Sequence, residues 1–267
     1  MSKPKMLDLF ACAGGASRGY MNAGFDVIAV DCDRNALKHN PAAEHFAGDW
    51  KEGLLAYAAQ AAFVHASPPC QGYIPNNPKK GDWPLLVPEV REALLATGKP
   101  FVIENVPTCE DLEDPVSLRG CAFNLTVKWD VPKDKVRPYR DGSRWEVIKG
   151  RKYQFINRAY EDILREGPVE FHVHRERKFE AHGFRLAVPP VNPEVHRLPA
   201  LTVVSGTPTG FWNQWYGATI PTGVKREAMG IDWKMGGHDV AESIPPAYAE
   251  YIGKEALSQL GYTQSHD

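Results

Sequence analysis

Apolar residues in the N-terminal part of the chain fall into short runs separated by turns and amphipathic segments. MLDLF, at residues 6–10, has the length and composition of a buried strand, and the Ala-Gly-rich turn ACAGGAS follows it directly. A helix over 18–23 then leads to three further apolar runs that predict strands: FDVIAVD, AAFVHAS and FVIENV. Helical spacing occurs between these runs, at 35–39, 52–61 and in VPEVREALLAT. Strands that alternate with helices predict a parallel sheet in a doubly wound α/β fold.

The remainder of the chain has a less regular pattern. Residues 107–127 are rich in loop-forming residues, and 128–170 have the pattern of an insertion with a helical stretch near Tyr153–Arg165. Segment 183–222, which contains Trp212 and Trp215, is rich in Pro, Gly and Thr and predicts a small irregular β-type region. IPPAYAEYIGKEALSQL, further on, predicts a helix opened by prolines.

The composition is typical of a soluble globular protein, since 43% of the 267 residues are apolar and 24% are charged. No apolar run reaches the ~18–20 residues that a membrane helix needs. The residues before MLDLF lack the apolar stretch and cleavage site of a signal peptide. The five cysteines include no C-x-x-C pair, which disfavours a disulfide framework or a thiolate zinc cage. These features predict a cytoplasmic protein.

Charge is distributed unevenly along the chain, although the net charge is only −2. Lys128–Arg158 holds ten Lys or Arg against four acids, a net +6, which leaves −8 for the rest of the chain. Five aromatic residues in the same window can stack on bases: Trp129, Tyr139, Trp145, Tyr153 and Phe155. The window is therefore either a nucleic-acid contact or a solvated surface insertion, and its composition alone slightly favours the insertion.

Three short motifs end predicted strands and carry candidate chemistry. DLFACAGG, at 8–15, places a glycine turn after a strand, as in a nucleotide-cofactor site or in any tight strand–helix connection. Its glycines lack G-x-G-x-x-G spacing, which favours a mononucleoside over a dinucleotide. ASPPCQGY, at 66–73, puts Cys70 beyond a strand, as a partly exposed nucleophile or as a small buried apolar residue. In FVIENVP, at 101–107, Glu104 and Asn105 end another predicted strand, and the Glu104 carboxylate requires a cap, an ion pair or a function.

Taken together and in this order, the motifs resemble those of the cytosine-5 DNA methyltransferases. HRERKF, at 174–179, is similar to the family's Q-x-R-x-R motif, and RLPALTVVSG is similar to the start of its target-recognition region. The resemblance covers 6–127, 173–180 and 223–260, and SPPCQ followed by IENV is a highly specific pairing. The other matching segments are DLFACAGG, the acid of AVDCD, Gly48-Asp49, REAMGIDW and SIPPAYAEYIG. The resemblance implies an α/β, Rossmann-like class I S-adenosylmethionine-dependent methyltransferase fold with a small irregular target-recognition region.

The resemblance also implies a reaction, the transfer of a methyl group from S-adenosylmethionine to carbon 5 of cytosine in DNA. Cys70 would add to carbon 6 as a covalent nucleophile, and Glu104 would hydrogen-bond ring nitrogen 3 and the amino group. Arg175 and Arg177 would help to position Cys70 and the base. Because a duplex buries carbons 5 and 6, the base would be flipped out, under a closing loop at 72–83. The residues implied to contact the substrate are Gln71, Asn105 and Thr202.

The cofactor site follows from the same resemblance. Phe10 would stack near the adenine, Asp31 would hold two ribose hydroxyls, and Asp49 would accept from the adenine amino group. The remaining residues implied at this site are Ala13, Gly14, Gly15, Cys32, Trp50, Pro69, Leu86 and Ser243.

The chain departs from the family pattern at three places. Cys12 stands where the family has a glycine, and Val173 stands where it has a glutamine. Ala241-Glu242 replaces the family's Gly-Asn. An acid at that position would lie beside the methionine end of the cofactor, which leaves open the transfer of a larger group. None of these departures touches Cys70 or Glu104.

We expect the chain to divide along these motifs. The catalytic domain would comprise 1–127, the arginine motif at 171–182, and 223–267. A basic insertion would occupy 128–170, and a short target-recognition region 183–222. Because the latter is short, the recognised site should be short or degenerate, or the insertion should supply further DNA contacts.

The expected partner is double-stranded DNA, and we expect a monomer that binds no membrane and acts in the cytoplasm of a bacterial cell or a phage-infected host. We assign no metal, because His172, His174 and His182 lack a Cys or acid to complete a site. Two alternatives are an RNA cytosine-5 methyltransferase, since the chemistry does not distinguish the sugar, and a catalytically inactive DNA-binding homologue. A restriction partner and phage self-protection both stay open as biological roles.

Overall fold

The computed structural model describes residues 3–75, 77–131, 167–203 and 220–262, and the backbone of two strands at 144–148 and 151–155. The strands are β1 Lys5–Leu9, β2 Asp26–Asp31, β3 Glu44–Ala47, β4 Phe63–Ala66, β5 Phe101–Asn105, β6 Val116–Leu118, β7 Thr126–Trp129, β8 Arg144–Ile148, β9 Arg151–Phe155, β10 Val169–His174, β11 Arg177–His182 and β12 Ala200–Thr202. The α-helices are α1 Gly15–Ala23, α2 Arg34–Leu37, α3 Trp50–Tyr57, α4 Val87–Ala96, α5 Pro193–His196, α6 Thr222–Ala228, α7 Gly237–Glu242 and α8 Pro246–Gln259.

The central sheet has seven strands in the order β3-β2-β1-β4-β5-β11-β6. The first five strands of this order run parallel, and β11 pairs antiparallel with both β5 and β6. The order reverses between β1 and β4, which is the type of position where doubly wound sheets bind their ligands. The parallel sheet predicted from the alternating strands and helices is confirmed.

Successive residues of each strand point to opposite faces of the central sheet, and helices cover both faces. One face packs on α1 and α8, and the other packs on α3 and α4. The close approach of α1 to α8 depends on Gly19, where an added Cβ would lie 2.2 Å from the carbonyl oxygen of Pro246. Buried residues on the first face include Met6, Tyr20, Phe63 and Tyr248, and those on the second include Leu7, Trp50, Val64 and Val90.

A second, three-stranded sheet has the order β12-β10-β7. Its core combines residues from distant parts of the sequence: Trp129, Phe171, Leu201, Met229 and Ile231. Residues before 131, around 170, near 201 and after 220 therefore share one apolar core. The predicted division into domains stays a prediction.

The helix expected near Tyr153–Arg165 is wrong over its first residues, because 151–155 form β9, which pairs antiparallel with β8. Ile148 pairs with Arg151, so only two residues connect the strands, as in a tight hairpin. The alternation of Tyr153 and Phe155 with polar residues is the period of a strand rather than that of a helix. Residues 156–165 lie outside the described part.

Candidate active site

Cys70 and Glu104 lie at the carboxyl ends of two neighbouring parallel strands. Cys70 follows β4 through the Pro68-Pro69 turn, and Glu104 is the penultimate residue of β5, which pairs with β4. Asn105 joins the two strand ends, since its side-chain amide donates to the carbonyl of Pro68 at 3.0 Å. The fold therefore brings both candidate catalytic residues to one edge of the sheet.

Two arginines reach the same edge, Arg175 from the turn between β10 and β11 and Arg177 from the first position of β11. Because β11 pairs with β5, Phe179 lies opposite Glu104 and Arg177 lies close to the strand end. The Nε of Arg177 is 3.0 Å from Oε1 of Glu104, and both side chains are largely buried. Arg175 is buried beside this ion pair.

A cavity of about 820 Å³ opens in front of these residues and is termed the larger cavity here. Five of the predicted catalytic and substrate-binding residues line it: Cys70, Gln71, Arg175, Arg177 and Thr202. The loop predicted to close the site, 72–83, contributes Ile74, Lys79 and Trp83 to the wall. Asn105 is fully buried and bonds Pro68 and Val106, so the structure places it behind this cavity rather than in its lining.

Burial raises the pKa of Glu104 above its ordinary value, because the charged carboxylate loses solvation. Arg177, a hydrogen bond from Ser67 and Arg175 oppose this shift, in that order. Glu104 therefore binds its proton more readily than an ordinary glutamate does. That property suits a group that exchanges a proton with a bound molecule.

The Cys70 thiol also has a raised pKa, first because of burial and then because of the negative Glu104. Arg177 and Arg175 act in the opposite direction, and Glu242 adds to the increase. Cys70 is therefore a neutral thiol at rest, and neutralising Glu104 favours its thiolate. The protonation states of Cys70 and Glu104 are therefore electrostatically linked.

Arg175 connects three backbone segments. Its guanidinium donates to the carbonyls of Val203 at 2.8 Å, Ala241 at 2.6 Å and Ser243 at 2.7 Å. The hydroxyl of Tyr248 donates to the backbone carbonyl of Arg175 itself at 2.5 Å. Full burial lowers the pKa of Arg175 to about 9. Arg175 therefore fixes the wall of the larger cavity as well as lining it.

Three residues of the larger cavity's lining carry a buried polar atom without a hydrogen-bond partner. Among the described residues, Oε1 of Gln71, Nε of Arg175 and Oγ1 of Thr202 are buried side-chain atoms that lack a hydrogen-bond partner. Buried polar groups in folded proteins are almost always paired, so these three atoms are available to a bound molecule. Together they offer an acceptor, a donor and a hydroxyl.

Glu242 stands on the wall of the larger cavity, at the end of α7. Its Oε1 accepts from Nε2 of Gln71 at 3.3 Å and lies 3.3 Å from Nε2 of His238. Burial raises the pKa of Glu242. The acid that departs from the family pattern thus faces the space beside Cys70.

A smaller cavity, of about 380 Å³, lies on the other side of Pro69. The rings of Phe10 and Trp50 lie 5.8 Å apart at its wall. The carboxylate of Asp31 accepts from the backbone N–H of Cys12 and of Asp33, each at 2.8 Å, and Asp49 caps α3. Seven residues predicted for the cofactor site line this cavity: Phe10, Asp31, Cys32, Asp49, Trp50, Pro69 and Leu86.

The other four predicted cofactor residues lie outside both cavity linings. Ala13 is fully buried, and its carbonyl accepts from Trp233. A Cβ on Gly14 or Gly15 would meet Pro41 at 2.3 Å or the carbonyl of Ile244 at 2.4 Å. The two glycines therefore permit close packing of the β1–α1 turn. Ser243 is buried, and its hydroxyl donates to the carbonyl of Asp239.

Sequence reasoning missed three polar residues behind Glu104: Ser67, His65 and Tyr20. Ser67 hydrogen-bonds the Glu104 carboxylate, and the other two continue from Ser67 into the core. A histidine inside the predicted buried strand AAFVHAS, two residues before the SPPC segment, was the signal that could have found them.

The basic insertion lies mostly outside the described residues, as do Trp212 and Trp215. In the described part, no group of three or more His, Cys, Asp or Glu is placed to hold a metal ion. His172 instead bonds the carbonyl of Leu198, and His182 stacks on Phe101. Within the same residues, no helix is long and apolar enough to cross a membrane.

Comparisons with known proteins bear on the fold. No protein-family model and no curated protein sequence matches the chain. A candidate DNA modification methyltransferase encoded within an E. coli prophage is similar over 97% of this chain and 99% of its own, with 17% identity and a TM-score of 0.52. The Dnmt2 methyltransferase of S. pombe is similar over 96% of this chain and 99% of its own, with 13% identity and a TM-score of 0.45. The prophage protein's likeness confirms the predicted Rossmann-like α/β fold.

Proposed function

We propose that this chain transfers a methyl group from S-adenosylmethionine to carbon 5 of a cytosine in DNA. The observation that carries the proposal is that consecutive residues line different cavities, Pro69 the smaller and Cys70 the larger. A nucleoside cofactor in the first and a base in the second would therefore meet beside the Cys70 thiol.

The residues around the smaller cavity fit the adenosine part of the cofactor. When bound, S-adenosylmethionine supplies an electrophilic methyl group. Phe10 and Trp50 offer aromatic faces, and Asp49 offers an acceptor for the adenine amino group. Each oxygen of Asp31 accepts one backbone N–H and keeps a second lone pair for a ribose hydroxyl.

Cys70 and Glu104 would activate the base together. The thiolate of Cys70 bonds to carbon 6 of cytosine, and the electron pair of the 5,6 double bond makes carbon 5 nucleophilic. Protonated Glu104 donates to ring nitrogen 3, which offsets the negative charge that the ring gains. Transfer of the methyl group to carbon 5 would leave S-adenosylhomocysteine. A water molecule acting as base would then take the carbon 5 proton, the electron pair of that C–H bond would re-form the 5,6 double bond, and the bond between Sγ and carbon 6 would break to release the Cys70 thiolate.

The cavity's unpaired polar atoms would hold the base in place. Nε of Arg175 is a donor for the cytosine carbonyl oxygen, and Oγ1 of Thr202 is available to the sugar or phosphate. Because Cys70 lines the wall of a concave cavity, a base stacked in the duplex would not reach it, and the target would have to leave the helix. The wall residues Ile74 and Trp83 would border the flipped base.

The test is adduct formation with DNA that carries 5-fluorocytosine, in the presence of S-adenosylmethionine. Fluorine at carbon 5 blocks the final elimination, so the protein should stay bonded to DNA after denaturation. Cys70→Ala should abolish the adduct, whereas Cys121→Ala, at a buried cysteine outside both cavity linings, should retain it.

Two other outcomes would change the conclusion. An adduct that forms only with RNA would move the substrate class to RNA. If neither nucleic acid gave an adduct, the covalent mechanism would be rejected, and methyl-independent DNA binding would support an inactive binding protein.

A further inference from the structure

A chain of hydrogen bonds runs from the core to Glu104. The hydroxyl of Tyr20 is 2.9 Å from Nδ1 of His65, and Nε2 of His65 is 2.7 Å from Oγ of Ser67. The register that pairs Ala66 with Ile103 places Ser67 beside Glu104, and a hydrogen bond from Ser67 lowers the pKa of that carboxyl group. Tyr20 and His65 are completely buried, and neither lines either cavity. The four residues come from α1, β4, the turn after β4, and β5.

The hydrogen bonds of this series are all donated in one direction, from Tyr20 towards Glu104. Burial raises the pKa of Tyr20, so its hydroxyl keeps its proton, and in the described part His65 is its one hydrogen-bond partner. Tyr20 must therefore donate to Nδ1 of His65, since a buried hydroxyl without an acceptor is costly. Burial lowers the pKa of His65 to about 3, so the ring is neutral and its proton lies on Nε2. That proton is donated to Ser67, whose hydroxyl proton then points at Glu104.

We propose that Tyr20, His65 and Ser67 are positioning residues that orient the Glu104 carboxylate and stabilise its ionised form. The importance of this for methyl transfer rests on the proposed function, but the effect on Glu104 does not. The chain ends at Tyr20 in the core, so it carries no proton to solvent and acts as a fixed set of aligned donors. It differs in this respect from a proton relay.

Other charged and titratable side chains also lie close to the Glu104 carboxylate. Arg177 on β11 pairs with Oε1, Arg175 lies in the turn before β11, and Cys70 is the neighbouring titratable group. The arginines also favour the carboxylate. The hydrogen bonds from Tyr20 to Ser67 therefore stabilise the ionised Glu104 through neutral donors in fixed positions. This effect acts beside those of charge and burial.

The proposal predicts a change in the titration of Glu104, measured by NMR on the full chain with carbon-13 in the glutamate carboxyl groups. The Glu104 signal is the one missing from Glu104→Gln. Ser67→Ala removes the last donor and should raise the pKa of Glu104 by about one unit, a tenfold change in proton affinity. Ser67→Thr keeps a hydroxyl and should restore the wild-type titration.

Tyr20→Phe tests the far end of the chain without touching Ser67. Loss of the hydroxyl removes the donor that selects the His65 tautomer, so the pKa of Glu104 should rise, though by less than in Ser67→Ala. Nitrogen-15 shifts of His65 should report a protonated Nε2 in the wild type and a mixture in Tyr20→Phe. Tyr251→Phe is the matched control, because its exposed hydroxyl bonds the carbonyl of Ala187.

An identical Glu104 titration in the wild type, Ser67→Ala and Tyr20→Phe would overturn the proposal. A protonated Nδ1 on His65 would also overturn it, because the donors would then point away from Glu104. These measurements use neither DNA nor S-adenosylmethionine. A failure of methyl transfer therefore leaves their outcome intact, and the two proposals can fail separately.

Discussion

Burial is the first cause of the raised pKa of the Cys70 thiol, and four charged side chains around the thiol modify it. Glu104 and Glu242 favour the neutral thiol, whereas Arg177 and Arg175 favour the thiolate. Burial adds to the acids' effect, so the resting thiol is protonated and protected against adventitious alkylation. A substrate that binds to protonated Glu104 removes the negative charge of Glu104, which is the larger of the two charges that favour the neutral Cys70 thiol. In the proposed function, Cys70 would then be activated at the step where the base is bound.

Alkylation of Cys70 by iodoacetamide should show this balance. Since the pKa of Cys70 is raised, the thiolate appears only as pH rises above the range of an ordinary cysteine, and alkylation at neutral pH should be slow. Glu104→Gln removes a negative neighbour and should shift the profile of rate against pH to lower pH. The rate at Cys70 is measured by peptide mass spectrometry, with free cysteine as the reagent control. A profile that is unchanged or moves to higher pH in Glu104→Gln would contradict the electrostatic link.

At the level of single residues, the sequence identified the groups with distinctive chemistry but not the residues and contacts that hold them in position. Cys70 and Glu104 could be predicted because each follows an apolar run with an unusual motif. The role of Arg175 in joining three backbone carbonyls could not, because Val203 and Ser243 are distant in sequence. The contacts of Tyr20 with His65 likewise depend on how α1 packs against the sheet.

Among the elements, the start of α3 combines a structural role with a place in the smaller cavity. Asp49 is the N-cap of this helix and accepts from the backbone N–H of Lys51 at 2.8 Å. The same side chain lines the smaller cavity with Trp50, the first residue of the helix. Helix capping therefore fixes the position of a carboxylate acceptor in the smaller cavity, which in the proposed function would meet the adenine amino group.

Asp49→Ala should weaken the binding of S-adenosylhomocysteine by about tenfold, because one hydrogen bond is worth about 1–1.5 kcal/mol. The substitution also removes a helix cap, at a cost of about 1 kcal/mol in the free energy of unfolding. Asp33→Ala is the matched control, since Asp33 caps α2 and lies outside the cavity lining. Calorimetric titration should show near-normal affinity for the control. Equal losses in both variants would mean that capping, and not adenine contact, explains the effect.

Elements with a strong periodic pattern could be predicted, and short or mixed ones could not. The predicted strands β1, β2, β4 and β5 are confirmed. Each is a short, mostly apolar run with mostly buried residues, which is the pattern of a buried parallel strand. The edge strand β3 escaped prediction, since it has only four residues and half of them are exposed. β11 alternates charged and apolar residues, and its membership of the central sheet depends on pairing with the distant β5.

For the molecule as a whole, a second sheet borders the edge of the central sheet that carries Cys70 and Glu104. Arg175 follows β10 and donates to the carbonyl of Val203, just after β12. The second sheet includes β7, which leads towards the basic window at Lys128–Arg158. The most basic part of the sequence is therefore connected to the side of the molecule that carries the larger cavity, which suits a partner with a phosphate backbone.

This arrangement predicts that the basic window supplies much of the affinity for DNA. Replacing Arg137, Arg140, Arg144 and Arg151 with Gln should weaken binding, and the slope of log affinity against log salt should decrease by about 0.9 for each phosphate that the variant no longer neutralises. The control replaces Lys3, Lys99, Arg185 and Lys254 with Gln, which changes the net charge equally. Three of these control residues flank β1, β5 and β11 at the opposite edge of the central sheet. Fluorescence anisotropy at several salt concentrations measures both variants. If both lose affinity to the same extent, net charge alone governs binding, and the basic window has no specific role.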